Sequence, residues 1–217
     1  MKKAVIAAVI LCAGLAVWAI AAKVADAGKT EQFANGLKDP AVGSPAPALT
    51  LTDTNGKQHN LADYKGKYVV LEWVNLGCPF VKKHYESGNM QATQKKAVDQ
   101  GVVWLSVCSS AEGKQGHMAP ADWNKEIAAR KLASTAVLID ESGKVGAAYG
   151  AKTTPHMYII NPAGVLVYKG AIDDKPTTNQ DDIPGARNYV LAALDESMAG
   201  KPVSTASTQS YGCSVKY

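Results

Sequence analysis

No Cys-x-x-Cys pair occurs in this sequence, and its four cysteines, Cys12, Cys78, Cys108 and Cys213, are widely separated. A small disulfide scaffold is thereby excluded, because such scaffolds are short and carry an even, dense set of cysteines. Arginine is nearly absent, with only Arg130 and Arg187. The formal net charge of +4 is small, and Lys2, Lys3 and Lys23 supply much of it. The other basic residues are scattered among acidic ones, so no stripe suited to nucleic acid exists. Internal repeats are lacking too. Apart from the stretch Ala4–Ala22, no uncharged apolar run approaches spanning length.

What is present suits a soluble domain of ordinary composition, since 217 residues are enough for one core plus extensions. Lys2-Lys3, the apolar run and the Ala25-Asp26-Ala27 pattern read in the order of a secretory signal. The run is also close to the length of a membrane anchor, so residues 1–27 are read as a signal peptide or an anchor. The two lysines would keep that end in the cytoplasm and put the rest outside, in a periplasmic or other extracytoplasmic space. Cys12 is read as part of the apolar segment, because Leu11 before it is not the small residue a lipoprotein site needs. Export leaves Cys78, Cys108 and Cys213, and an odd number implies a free, intermolecular or exchanging thiol.

Residues 28–47 are polar and rich in Gly and Pro, and read as a linker. Asp53-Thr54-Asn55-Gly56 is a turn between two short strands. Tyr68–Val74 and Val102–Val107 are near-continuous apolar runs, as in parallel strands buried on both faces. Between them a helix runs from Cys78 to about Gln100, bent near Ser87-Gly88. A second helix starts near Pro120, a strand covers Thr135–Asp140, and a hairpin turns at Asn161-Pro162-Ala163-Gly164. A last helix spans about Pro184 to Ala199, leaving 48–199 as the domain and 200–217 as a tail carrying Cys213. This order predicts an α/β fold with a mixed central sheet flanked by helices.

Cys78 stands where a buried strand meets a helix, with Pro79 in the first helical position. The free N–H groups and positive dipole end there stabilise a thiolate. The plain alternative is an inert cysteine at a strand end. Glu72 interrupts the buried strand before it. A carboxyl there takes up a proton or a partner, and beneath Cys78 it would move protons to and from the thiol. The alternative places Glu72 on an edge strand facing water. Thr154-Pro155 enters an apolar strand, where proline must sit at the start or in a turn.

Val42-Gly43-Ser44-Pro45-Ala46-Pro47, Asp53–Lys57, Tyr64–Lys67, Gly77-Cys78-Pro79-Phe80-Val81 and Tyr149-Gly150 leading to Thr154-Pro155 carry a family resemblance. Together they resemble the redoxin branch of the thioredoxin superfamily, which includes AhpC/TSA-type peroxiredoxins and exported TlpA- or ResA-like thiol oxidoreductases. The resemblance covers Val42 to Ala199 and implies a thioredoxin fold with an N-terminal hairpin. It also implies that Pro155 is the cis-proline facing the reactive cysteine and that Glu72 is the buried acid. The ending Tyr211–Tyr217 is similar to the tail of an exported thioredoxin-family subgroup. Two departures stand out. Val81 occupies the place of a second cysteine, and Asn75 stands where a peroxiredoxin carries threonine, offering a hydrogen bond instead.

A lone thiolate needs a second thiol to complete turnover with a disulfide or a peroxide. The resemblance favours Cys213; topology brings forward Cys108, at the end of the neighbouring parallel strand. Otherwise Cys108 is a small buried residue and Cys213 a flexible terminal thiol. The expected partners are protein or small-molecule disulfides or peroxides, with no nucleic acid, and no cofactor is required. His84, His117 and His156 are expected to face solvent or bond locally. If they converged on Cys78 they would suit Cu(I) or Zn, as in Sco-type copper chaperones, which is the competing reading. A redox-silent binding module is a third.

Overall fold

The computed structural model describes residues 38–217; the leader and Cys12 lie outside the described residues. The apolar runs form the expected strands. Among the described residues there are nine: β1 (Thr50–Asp53), β2 (Gln58–Asn60), β3 (Val69–Trp73), β4 (Val103–Cys108), β5 (Ala136–Ile139), β6 (Thr153–Thr154), β7 (His156–Ile160), β8 (Leu166–Gly170) and β9 (Cys213–Ser214). The helices are α1 (Pro79–Glu86), α2 (Asn89–Asp99), α3 (Pro120–Arg130), α4 (Lys144–Tyr149) and α5 (Tyr189–Met198).

Seven strands form one mixed sheet in the order β2-β1-β5-β4-β3-β7-β8. The pairs β3/β4 and β4/β5 are parallel, while β3/β7, β7/β8, β1/β5 and β1/β2 are antiparallel. This is the thioredoxin-type arrangement with the expected N-terminal hairpin. Both sheet faces are covered, which is why β3 and β4 read as continuous apolar runs. Val70, Val74, Trp104 and Cys108 lie on one face with α1, α2 and α5; Leu71, Trp73, Leu105 and Val107 lie on the other with Tyr149 and Tyr158. β3 is central, so Glu72 is not on an edge facing water; it is fully buried.

Three boundaries differ from the sequence expectation. The helix after Cys78 is two helices, α1 and α2, broken at Ser87-Gly88 rather than bent there. The last helix starts at Tyr189, not near Pro184, because the Asn188 side chain accepts the Leu191 N–H at 3.0 Å and caps it. Pro184 lies in a separate short 3-10 turn, Gln180–Gly185. Finally, part of the stretch read as a linker is tied to the β7–β8 hairpin. The Gly43 and Ala46 N–H groups donate to Leu166 and Gly164 carbonyls at 2.8 and 2.9 Å.

The tail, aperiodic in sequence, is ordered by bonding to edges that the domain leaves open. Lys169 N–H donates to Ala206 O at 3.2 Å, and Thr208 N–H donates to Lys169 O at 3.1 Å. The Thr208 hydroxyl accepts from Ala171 N–H at 2.9 Å and sits against Gly170. A Cβ on Gly170, whose φ is +144°, would lie 2.1 Å from that hydroxyl oxygen and 2.5 Å from Thr208 O. Gly170→Ala is therefore expected to cost about 1–3 kcal/mol and to speed proteolysis of the tail. Thermal unfolding and limited digestion check this; an unchanged midpoint with an equally resistant tail contradicts it.

Candidate functional site

β3 runs directly into the site. After Trp73 the chain turns through Asn75, whose Oδ1 accepts the Gly77 N–H at 2.9 Å and whose Nδ2 donates to Gln115 O at 3.0 Å. Asn75 thus holds the turn before Cys78 against the loop after β4. Its side chain is committed to that scaffold. Cys78 is the N-cap of α1, with Pro79 at the first helical position, as the sequence implied. Its thiol donates to Thr154 O at 3.1 Å, across from the cis peptide bond Thr154–Pro155.

The tail completes the site. β9 pairs antiparallel with β6, with Cys213 opposite Thr154 and Ser214 opposite Thr153. Val215 N–H extends the register by donating to Lys152 O at 3.1 Å, and Ala111 N–H, from the loop after β4, ties the tail down by donating to Lys216 O at 2.8 Å. Gly212 permits the approach: at its φ of +134°, a Cβ would lie 2.0 Å from Thr154 O. Cys213 thereby stands opposite Thr154, whose carbonyl accepts the Cys78 thiol, so the two cysteines meet at one residue. Cys108 is not brought there. It is buried, and its thiol faces Gly116 O at 3.5 Å. Among the described residues, all three cysteines are free thiols.

The three thiols differ electrostatically. Burial pushes Cys78 up, but hydrogen bonds from the Cys213 thiol and the Val81 and Cys213 N–H groups outweigh it, leaving Cys78 below its ordinary value. The Thr154 hydroxyl beside it is buried and makes no hydrogen bond. Burial, then the Cys78 sulfur itself, pushes Cys213 up to about 11. Of the two thiols, Cys78 is the one that gives up its proton first. Burial also raises Cys108.

Glu72 lies on the same sheet face as Cys78, in the layer below Val74. Its Oε1 accepts from Tyr85 OH at 2.7 Å; its Oε2 accepts from Trp104 Nε1 at 2.8 Å and from Gln94 Nε2 and Ser106 Oγ at 3.0 Å. Burial raises its pKa although all four bonds favour the carboxylate. No sulfur is among these partners. Tyr85, on the helix that Cys78 caps, is the group between the acid and that helix.

The histidines do not converge on Cys78. His84 and His156 are buried rather than solvent-facing, because each has a polar partner inside. His84 Nδ1 faces Asn89 Nδ2 at 2.8 Å, and His156 Nδ1 accepts from Lys152 N–H at 3.3 Å. Burial lowers them to about 4 and about 3. His117 pairs with Glu141 at 2.9 Å. Among the described residues, no group of three or more His, Cys, Asp or Glu gathers as a metal site. Arg130 is paired with Glu126 and Arg187 lies over Tyr189, so neither guanidinium reaches the thiols. Sequence reading missed Asp173, Lys83 and the role of Tyr211, which meet beside α1. Only the quoted Tyr-Gly-Cys ending hinted at Tyr211.

Alkylation of Cys78, followed by mass analysis of its peptide, is expected to show a pH midpoint below the roughly 8.5 of a free thiol. Cys213→Ala removes a hydrogen-bond donor to the thiolate, so the Cys78 midpoint should rise. A wild-type midpoint at or above the free value, unmoved by Cys213→Ala, contradicts the electrostatic account.

With this geometry in place, known proteins give a consistent match. The AhpC/TSA family model matches residues 42–169. The chain is 30% identical over 131 residues to the thiol-disulfide oxidoreductase ResA of Geobacillus thermodenitrificans, covering 57% of this chain and 66% of that protein. It is 30% identical over 132 residues to ResA of Bacillus subtilis, covering 61% of this chain and 68% of that one. For a further ResA, from Geobacillus kaustophilus, the match spans only 45% of the relative's length. Among solved structures, an uncharacterized conserved protein from Geobacillus kaustophilus superposes with a TM-score of 0.68 at 27% identity, over 82% of this chain and 92% of that one. A hypothetical protein from Sinorhizobium meliloti, at 24% identity and a TM-score of 0.69 over 83% of this chain and 96% of its own, shares the fold. A family match that covers more than half of the chain and includes the strand–Cys–helix junction means that the chain belongs to the AhpC/TSA family of thioredoxin-fold proteins.

Proposed function

We propose that this protein is an exported thiol-disulfide oxidoreductase in which Cys78 is the nucleophile and Cys213 the resolving thiol. The observation that carries the reading is the β6–β9 pairing, which seats Cys213 beside a Cys78 of lowered pKa. The names of the ResA relatives support the reaction class. The basic–apolar–small leader supports export to a periplasmic or extracytoplasmic space, either cleaved or retained as an anchor through residues 4–22.

The reaction balances with two sulfurs. The Cys78 thiolate attacks one sulfur of a protein or small-molecule disulfide, forming a mixed disulfide and expelling the other sulfur as a thiolate, which takes a proton. Cys213 then attacks Cys78 Sγ and the second substrate sulfur leaves. The substrate gains two electrons, and the enzyme holds them as a deficit in a Cys78–Cys213 disulfide. An external dithiol reductant returns the pair to thiols. Cys78 has no exposed surface with the tail seated, whereas Cys213 is partly exposed. A substrate disulfide therefore reaches Cys78 by displacing the tail, which returns to resolve the intermediate.

Glu72, its pKa raised by burial, lies under the helix that Cys78 caps and takes up or releases a proton there as the thiol changes state, while Tyr85 stays protonated and donates to it. Thr154 and Pro155 line the sulfur on the opposite side, and Asn75 fixes the turn that presents it. A peroxide would instead be reduced by oxygen transfer to Cys78, with the sulfenic acid condensing with Cys213 to release water. With Asn75 committed to the scaffold and no arginine at the thiols, disulfide exchange is the better-supported chemistry.

Turnover of the reduced chain is measured with glutathione disulfide or insulin and with hydrogen peroxide, side by side. The disulfide is expected to be the faster substrate. Cys78→Ser should abolish exchange. Cys213→Ala should stop multiple turnover at a trapped Cys78 mixed disulfide, and Cys108→Ala should retain activity. Full exchange by Cys78→Ser, or loss of it in Cys108→Ala with Cys213→Ala active, contradicts the assignment. Tight Cu(I) binding to the reduced protein without exchange would favour the copper-chaperone reading instead.

A further inference from the structure

Two residues before Cys213, the tail is fastened to the body by a polar cluster outside the thiol pair. The Tyr211 hydroxyl donates to Asp173 Oδ1. His84 Nε2 lies 3.3 Å from the same hydroxyl. The other oxygen, Asp173 Oδ2, is buried without a hydrogen bond; Lys83 Nζ and His84 Nε2 both stand 3.9 Å from it. Lys83 is itself buried and donates to Lys175 O at 2.8 Å. The Tyr211 ring packs on Phe80, with centroids 5.8 Å apart at 58°.

The arrangement is notable for where its parts come from. Phe80, Lys83 and His84 all belong to α1, the helix whose N-cap is Cys78. One helix therefore positions the nucleophile at its N-cap and holds the tail of the resolving thiol with its following turns. A hydroxyl–carboxylate bond is stronger than a neutral one, and a two-residue arm leaves little slack between that bond and Cys213. Such an anchor acts as a short tether, raising the effective concentration of one sulfur at the other.

We propose that Tyr211, held by Asp173, is a positioning residue that sets the balance between the seated and the lifted tail, and so the ease of Cys78–Cys213 disulfide closure. The proposal rests on the pairing of Cys78 with Cys213 argued above. Seated, the tail supplies the resolving thiol and covers Cys78. Lifted, it opens Cys78 to a bulky substrate. Loss of the latch should therefore weaken closure and widen access together. A residue important only for folding would not link those two effects.

The full chain is equilibrated with reduced and oxidised glutathione, and the Cys78–Cys213 crosslink is quantified by mass analysis. In closure, glutathione disulfide accepts two electrons from the two protein sulfurs and leaves as two glutathione thiols. Tyr211→Phe keeps the ring on Phe80 and removes the hydroxyl; its closure constant should fall about tenfold, with Asp173→Asn falling in the same direction. The rate ratio for Cys78 modification by a bulky over a small alkylating reagent, which cancels the thiolate fraction, should rise in both. Ser204→Ala, which cuts an exposed 2.7 Å tail bond to Glu196 Oε1 on α5, nine residues before Cys213, should leave both quantities unchanged. Unchanged closure and access in Tyr211→Phe, or an equal effect from Ser204→Ala, overturns the latch. If one latch variant fails to fold, the other carries the test. A wild-type chain that forms no Cys78–Cys213 crosslink overturns the underlying pairing instead, which distinguishes the two failures.

Discussion

The site depends on a two-residue antiparallel contact, Thr153–Thr154 with Cys213–Ser214. Everything before it in the chain builds one wall: a central strand, a capping cysteine and a cis-proline loop. That wall holds one sulfur and offers an open backbone edge at β6. The tail closes the edge, and closure brings the second sulfur from a position 135 residues later in sequence (213 minus 78). A local Cys-x-x-Cys needs only a helical turn for this task. Here the geometry is delegated to strand pairing, to a glycine that tolerates close approach, and to a tyrosine fastened on a buried carboxylate.

That delegation separates the chemical roles of the thiols. Cys78 has helix N–H groups and a neighbouring thiol to stabilise its negative charge. Cys213 has burial and that same negative sulfur working against its ionisation. In the proposed exchange reaction these shifts suit Cys78 to act as nucleophile and Cys213 to hold the proton. Beneath them, Glu72 is bound by four donors in a fully buried layer, so its surroundings are rigid as well as polar.

The frame was legible in the sequence because long apolar runs and turn residues report it directly. Tyr68–Val74 and Val102–Val107 became β3 and β4, and Cys78-Pro79 became a helix cap. Glu72 stood out as a carboxyl in an apolar strand, although its four partners come from three other elements and leave no local pattern. The tail was the opposite case. Gly200–Tyr217 has no period, since its order comes from backbone bonds to edges set elsewhere in the chain. Asp173 and Lys83 were invisible for a related reason: a charged residue normally marks surface, and only the fold shows that these two face each other inside. The helix start at Tyr189 went unread because proline at 184 competed with the asparagine cap at 188.

The central claim is that Cys213, rather than Cys108, is the partner of Cys78. Oxidising the folded chain, digesting it without reduction and mapping the crosslinked peptides tests that claim most directly. The account predicts a Cys78–Cys213 linkage with Cys108 as a free thiol. A Cys108–Cys213 linkage that leaves Cys78 reduced would contradict it.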